Sequence, residues 1–304
     1  MKVTLDLTRL LADGKITQTE YDRLALLGAH GTGALGFNIL VGFGVVAVAV
    51  GAVALVPTPH TALVLGLLLL GLGLGFVFTQ GEQWSVFANI CMLTGALMFS
   101  GGLLALSDGS LASFAVVTAV LAAAGIAARS GLLIALAVVS LAACLGAGTG
   151  YRHASYSVIV REPSLTVIVF SLLALATFQL SKRIPPLYEG IALIAARTSL
   201  LMVNFGFWVG SLWGDRLEQI GLFVPRWSFA IAWALALLGV GLWAVQANRR
   251  WVVIIAAVFG AIHFYTQWFD RLGATPLSIL VAGLLTLALA IALWKFGRRE
   301  AAAA

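Results

Sequence analysis

Charged residues are scarce in this sequence, which has 18 lysines and arginines and 12 aspartates and glutamates among 304 residues, while 61% of its residues are hydrophobic. So few polar groups cannot cover the surface of a water-soluble globule of this length. The composition therefore predicts an all-α polytopic membrane protein and excludes a large extramembrane enzyme domain. The net charge of +6 does not indicate nucleic-acid binding, because the basic residues lie in short loops between apolar runs and report topology.

Cysteine is almost absent as well: Cys91 and Cys144 are the two in the chain, and both lie inside apolar runs. Neither a disulfide framework nor a thiolate metal site follows from them. The sequence also lacks a Ser/His/Asp set, an HExxH motif, a CxxC pair, a Walker sequence and paired intramembrane carboxylates. We therefore expect no enzymatic activity, no metal ion and no cofactor.

Long apolar runs are what the sequence has in abundance, and a bilayer crossing needs about 20 such residues. Ten runs qualify, at residues 33–56, 61–79, 84–106, 111–128, 130–149, 164–181, 190–213, 227–246, 251–269 and 276–294. We predict a ten-helix transmembrane bundle over residues 33–295, a cytoplasmic preface over 1–32 and a cytoplasmic tail over 296–304. The 32 residues of mixed charge before the first run are unlike a signal peptide, so the first span is expected to be retained.

The distribution of basic residues predicts the orientation of these spans, because lysine and arginine accumulate in cytoplasmic loops. With ten spans and the N-terminus inside, the outside segments carry five basic residues, and Arg197 lies within a span. The inside segments carry the other twelve: Lys2, Arg9, Lys15, Arg23, Arg129, Lys182, Arg183, Arg249, Arg250, Lys295, Arg298 and Arg299. We therefore expect both termini in the cytoplasm, a location in the cell inner (plasma) membrane, and two longer outside loops at residues 150–163 and 214–226.

The preface carries a helix-start signal at Thr17, which is followed three residues later by Glu20. This spacing forms a capping box, and Ile16 and Tyr21 occupy the two positions of a hydrophobic staple. Together with a helix stop at Gly14, the pattern predicts a short cytoplasmic hairpin of two amphipathic helices. Either the hairpin anchors the chain at the membrane surface and orients the first span, or it docks a protein partner, since helices this short need another surface.

The preface Leu10-Leu11-Ala12-Asp13-Gly14-Lys15-Ile16-Thr17-Gln18-Thr19-Glu20-Tyr21 resembles the L-x-x-G-x-I-T-x-x-x-Y opening of bacterial predicted membrane proteins with domain of unknown function 2157. The stretch 263–269, followed by Gly273, Pro276 and an apolar hairpin ending in Trp294-Lys295, is similar to their C-terminal end. The resemblance covers the two ends of the chain. It implies an integral bacterial membrane protein with a helical prefix and many spans, and it carries no catalytic residues.

A second resemblance is to ten-helix drug/metabolite transporters, which share the span count and the placement of both termini. That family is built as an inverted repeat of five plus five spans. No aligned halves are visible in this sequence, and the preface departs from the pattern, so the question of a repeat stays open.

Arg197 stands out because a charge inside an apolar helix costs about 2.5 to 3.5 kcal/mol at the membrane centre. It lies seven residues beyond the predicted start of its span at Gly190, roughly 10 Å along a helix. One interpretation is that it extends towards the headgroups. The other is that it faces a polar cavity, where it binds an anionic solute or pairs with Glu189, with Asn204 on the same face. Arg197, Asn204 and Glu189 are therefore the candidate substrate-binding residues.

A second polar pattern lies near the outer end of the ninth predicted span, where His263, Gln267 and Asp270 share one helix face. A histidine and a carboxylate arranged in this way are typical of proton-coupled transport, since imidazole titrates near neutral pH. The alternative is a span end whose polar groups are satisfied by headgroups and water.

Glycines four residues apart predict close helix packing, at Gly206, Gly210 and Gly214 and at Gly71 and Gly75. Taken together, these features favour an integral membrane protein that acts as a secondary transporter of a small solute. The alternative is a non-transporting membrane scaffold or sensor whose preface binds a partner. A hydrated cavity that reaches the middle of the bilayer would distinguish the first function from the second.

Overall fold

The computed structural model describes residues 7–79, 84–152, 155–217 and 221–303. This described part contains eleven α-helices and four β-strands. The helices are α1 (Leu7–Ala12), α2 (Gln18–Leu55), α3 (Pro59–Thr79), α4 (Ser85–Leu106), α5 (Leu111–Ala127), α6 (Gly131–Cys144), α7 (Pro163–Ser181), α8 (Pro186–Trp213), α9 (Arg226–Gln246), α10 (Arg250–Leu272) and α11 (Pro276–Ala303). Lys2, which the topology argument placed inside, lies outside the described residues.

Six helices are long and apolar enough to cross a membrane, namely α3, α4, α7, α8, α9 and α10. The described part also holds four shorter apolar helical segments, at Ile39–Leu55, Leu111–Ala127, Gly131–Cys144 and Pro276–Ala288, where the remaining four spans are expected. Large hydrophobic side chains are exposed along these helices, as at Leu40, Leu67 and Leu172, which suits contact with lipid. The chain is thus a helical membrane protein by length and composition, while the count of ten and the side of each terminus stay predictions.

The start of α2 confirms the predicted capping box. The Glu20 backbone N–H donates to Thr17 Oγ1 at 3.3 Å, and the Thr17 N–H donates to Glu20 Oε2 at 2.8 Å. Gly14, with φ of +67°, lies in the turn that follows α1 and separates it from α2. The second helix differs from the expectation of a short element, because α2 continues for 38 residues to Leu55. No proline interrupts it before Pro57, so nothing in the backbone chemistry forces a stop near residue 32.

Two short β-hairpins accompany the helices of this predominantly α-helical chain. Strands β1 (Ala147–Arg152) and β2 (Ser155–Val160) pair antiparallel, as do β3 (Asp215–Leu217) and β4 (Leu222–Val224). The fifth predicted span, 130–149, starts correctly but ends too late, since α6 runs from Gly131 to Cys144. Gly146 adopts a φ of +83°, which stops the helix before the apolar composition ends. The hairpins lie where the two longer outside loops were expected.

The chain divides into two compact units. The first consists of Met1–Leu141 with Pro185–Ile194, and the second of Ala142–Ile184 with Ala195–Ala304. The core of the first unit forms between α3, α4, α5 and α6, around buried Met92, Phe99, Leu121 and Leu133. The second unit carries the cavity described below.

Helices α3 and α4 approach closely through glycine. A methyl group placed on Gly95 would lie 2.5 Å from Leu70 N, and one on Gly102 would lie 2.7 Å from Leu63 N. Gly66 and Gly73 on α3 face the backbone of α4 in the same way. Each pair is spaced by seven residues, which is two helical turns, so the four glycines form one continuous contact.

This contact corrects the predicted packing role of Gly71 and Gly75. A methyl group on either would meet no heavy atom within 4 Å in the part of the chain that the structure describes. Both glycines are exposed on α3, whereas Gly66 and Gly73 are buried. The spacing of Gly71 and Gly75 does not determine which face of α3 meets α4. Gly66 and Gly73 lie on that face, so Gly71 and Gly75 face away from α4.

Candidate functional site: an apolar cavity in the second unit

Helices α7, α8, α9 and α10 of the second unit line a partly open cavity of about 350 Å³. Its lining is hydrophobic, with Leu200, Val203, Phe207 and Ile255 among the contributing side chains. Along α8 the lining extends from Ala196 to Phe207, roughly 16 Å at 1.5 Å per residue. The volume lies at the lower end of the range of roughly 300–1,000 Å³ that small-molecule sites occupy.

Two glycines of α8 allow its neighbours to pack around this cavity. A methyl group on Gly206 would lie 3.0 Å from Val167 Cγ2 of α7, and one on Gly210 would lie 2.5 Å from the Phe229 ring of α9. These two residues therefore sit at close contacts, as their spacing indicated. Gly214 has a different position, because it follows the end of α8 with φ of +72° and faces the Val224 carbonyl of β4. Its role is to end the helix rather than to pack against another one.

Asn204 is buried at one end of the cavity, and its amide oxygen and its amide nitrogen each form one hydrogen bond within the protein. The indole Nε1–H of Trp233 donates to Asn204 Oδ1 at 2.9 Å, and Asn204 Nδ2 donates to the Leu200 carbonyl at 2.8 Å. Trp233 is fully buried, so this bond satisfies an indole N–H that has no access to water. The cavity beside Arg197 is thus apolar rather than polar, because Asn204, its main polar lining residue, is used internally.

Three aromatic side chains line the opposite end of the cavity, which we call the aromatic end: Phe178, Trp243 and Trp251. The Phe178 and Trp243 rings meet edge to face, with centroids 6.1 Å apart. Phe178 lies near the end of α7, Trp243 near the end of α9 and Trp251 at the start of α10. The chain reversal between α9 and α10 therefore brings two of the three rings together.

Basic side chains lie over these rings. Lys182 Nζ is 4.5 Å from the centroid of the Phe178 ring, and Arg249 Cζ is 5.6 Å from the same centroid. Arg197 Cζ is 5.2 Å from the centroid of the Trp251 ring. At these distances the ring quadrupole attracts the cation. The structure therefore places Arg197 as an exposed residue at the aromatic end, and Glu189, an exposed residue in the first turn of α8, belongs to the first unit.

A groove of about 550 Å³ lies between α9 and α10. It is formed by the start of α9 and the end of α10, away from Trp243 and Trp251 at the aromatic end. His263 and Gln267 line it together with Arg271, while Asp270 accepts a charged hydrogen bond from Arg226 at 3.3 Å. The His263 Nδ1 and Gln267 Nε2 atoms are buried without a hydrogen-bond partner among the described residues. The predicted stripe is therefore split: two members line the groove, and the carboxylate is engaged in an ion pair across the two helices.

The aromatic residues of the site were not among the residues predicted from the sequence. Trp243 and Trp251 lie near span ends, where a tryptophan is expected at headgroup level whatever else it does. Trp233 did carry a signal, because it lies in the middle of a predicted span and a buried indole N–H needs an acceptor. That requirement points to a polar residue on a neighbouring helix, and Asn204 is such a residue.

Within the described residues, no group of three or more histidine, cysteine, aspartate or glutamate side chains is close enough to hold a metal ion. In the comparisons with known proteins, no family model matches the chain, and no curated protein or solved structure is detectably similar to it.

Proposed function

We propose that this chain is a multi-pass protein of the cell inner membrane, with both termini in the cytoplasm, whose second unit takes a small hydrophobic or amphipathic molecule from the bilayer into the apolar cavity. Binding there would be the first step of secondary transport. The observation that carries the proposal is the cavity itself, with its hydrophobic lining and its internally bonded Asn204.

The lining argues against a strongly hydrophilic solute. A hydroxyl or amide moved from water into an apolar site without a new hydrogen bond loses roughly 2–7 kcal/mol. Asn204 already accepts from Trp233 and donates to Leu200, so at most one N–H and one lone pair of this residue remain to compensate a polar solute. An alkyl or aromatic group, by contrast, gains from leaving water or from filling the space.

The size of the cavity argues against a solidly packed scaffold. The space of about 350 Å³ is partly open at the protein surface and lies within the range that small-molecule sites occupy. A bundle whose purpose is only structural would be expected to fill such a space with side chains.

The test uses 12-bromododecanol, a neutral probe whose bromine quenches tryptophan fluorescence, with the purified protein in phosphatidylcholine nanodiscs. Trp233, Trp243 and Trp251 line the cavity, so occupancy should add a saturable component to the linear quenching by probe dissolved in the bilayer. Ala236→Phe places a ring in the cavity, whereas Ala232→Phe, one turn earlier on α9, places the same ring on an exposed face.

We expect saturable quenching in the parent chain and in Ala232→Phe, and an affinity reduced by about tenfold or more in Ala236→Phe, equivalent to about 1.4 kcal/mol. If the parent shows only linear quenching, or if the two variants behave alike, the cavity is not a binding site and the scaffold function becomes the better account.

A further inference from the structure

The basic residues at the aromatic end lack acidic partners. In the described part of the chain, ion pairs join Lys15 to Asp13 and Arg226 to Asp270, and neither involves Lys182, Arg197 or Arg249. These three side chains are exposed. Three positive charges gathered at one end of a hydrophobic cavity, without a carboxylate to neutralise them, create a local field that favours an anion.

A cation–π contact engages the charge of a basic group and none of its N–H donors. Arg197 over Trp251 and Arg249 over Phe178 have such contacts, so their N–H groups are left to form a fork with a carboxylate or phosphate. The Lys182 ammonium adds a point charge on the same Phe178 ring. Lys182 also donates one N–H to Gln179 Oε1 at 3.2 Å, which leaves two for a ligand.

We infer that the ligand of the cavity is a single-chain amphipathic anion, with its hydrocarbon tail in the cavity and its carboxylate or phosphate head held at the aromatic end by Arg197, Lys182 and Arg249. This inference rests on the proposed function and adds the charge and shape of the ligand to it. Along α8, the distance from Arg197 to Asn204 is roughly 10 Å. The anionic head therefore stays beside the cations while the tail reaches the buried Asn204–Trp233 pair.

If the same side chains only extended towards lipid headgroups, their removal would affect ligand binding differently. A cation that only reaches for the membrane surface would not change the affinity of a molecule bound inside the cavity. The two accounts therefore differ in whether removing Arg197 weakens an anionic probe while leaving a neutral probe of equal length unaffected.

The experiment compares 12-bromododecanoate with 12-bromododecanol in the same nanodiscs, at a pH at which the carboxylate is ionised, with each concentration expressed as mole fraction in the bilayer. We expect the parent chain to bind the carboxylate about tenfold more tightly than the alcohol. Arg197→Gln should abolish this preference and leave alcohol binding unchanged, and Arg197→Lys should retain part of it. The matched control is Arg250→Gln, since Arg250 is an exposed cation in the first turn of α10 that no ring contact involves in the described part.

The outcomes separate the two proposals. Equal affinities for the two probes in the parent chain, or an equal loss in Arg197→Gln and Arg250→Gln, would overturn the inference and leave the cavity proposal standing. Failure of the parent chain to bind the alcohol saturably would overturn the proposed function.

Competition identifies the source of the ligand. Displacement of 12-bromododecanoate by dodecyl phosphate, and not by phosphatidylglycerol in the nanodisc, supports a single-chain anion. Equal displacement by phosphatidylglycerol would show that the site takes a two-chain membrane lipid and would overturn the inference. Displacement by inorganic phosphate alone would show that the cations bind a small anion without a tail, and would overturn the inference.

Discussion

Replacing Gly95 with alanine is expected to separate α3 from α4. The added methyl group would lie 2.5 Å from Leu70 N and 2.7 Å from Gly66 O, and both are backbone atoms that cannot rotate away. Reaching an ordinary van der Waals distance of about 3.5 Å requires the helices to move apart by about 1 Å. Gly101 on the same helix provides the matched control, because a methyl group there would meet nothing within 4 Å.

Two opposing effects determine the size of the change. Forcing an extra methyl group into a close-packed contact typically costs about 1–3 kcal/mol, whereas replacing glycine by alanine inside a helix gains up to about 1 kcal/mol. At Gly95 the steric cost outweighs the gain, so we expect the free energy of unfolding to fall by about 1–2 kcal/mol. At Gly101 only the gain applies, and the free energy of unfolding should stay the same or rise by up to about 1 kcal/mol.

The measurement is reversible unfolding in mixed micelles by titration with a denaturing detergent, with helicity followed by circular dichroism. The parent chain, Gly95→Ala and Gly101→Ala are compared under one condition. The reasoning is refuted if the two variants shift the unfolding midpoint by the same amount in the same direction, or if Gly95→Ala is the more stable of the two.

Thr17→Ala removes the acceptor for the Glu20 N–H, so it should destabilise the start of α2 by about 1 kcal/mol and speed amide exchange there; unchanged exchange would contradict the capping assignment. Hydrogen bonds from the Thr17 N–H and hydroxyl lower the pKa of Glu20. The stabilisation that the ionised Glu20 side chain gives to the start of α2 is therefore complete above its unfolded-state pKa and is lost as pH falls through the lowered pKa; Glu20→Gln should remove that pH dependence. Asn204→Leu and Trp233→Phe break one buried hydrogen bond, so the double variant should lose about 1 kcal/mol less stability than the sum of the singles, whereas strict additivity would show no coupling.

Local signals in the sequence predicted the helix start at Thr17, because a capping box depends on residues three positions apart. They could not predict where α6 ends. The apolar run continues past Gly146, so a length criterion extends the span, whereas the positive φ of that glycine turns the chain into β1. A continuous apolar composition does not distinguish a buried helix end from a strand of a short hairpin.

The glycine contact illustrates a second limit. Gly71, Gly73 and Gly75 alternate along α3, and the helix is apolar on every side, so no amphipathic pattern shows which face meets a neighbour. Only the position of α4 decides that Gly73 is buried and that the other two are exposed.

The candidate site was partly visible because charged and polar residues in apolar helices are conspicuous. Arg197 and Asn204 were identified in this way. Their partners could not be found from spacing, because Trp251 and Trp233 lie more than 25 residues away on other helices. A tryptophan near a span end, such as Trp251, is also expected at headgroup level whether or not it has a partner. Asn204 lines the apolar cavity, and Arg197 lies over the ring of Trp251, another lining residue. This arrangement follows from the packing of four helices, which no local pattern contains.

The position of Trp233 divides the interior of the second unit. Its indole lines the cavity, and the ring centroid lies 4.8 Å from that of His263, which lines the groove between α9 and α10. The two compartments are therefore separated by two contacting rings, Trp233 and His263, where α9 packs against α10. The hydrogen bond from Trp233 to Asn204 holds the indole in this position and contributes about 0.5–1.5 kcal/mol. One buried side chain therefore bounds the cavity on one side and contacts a lining residue of the groove on the other.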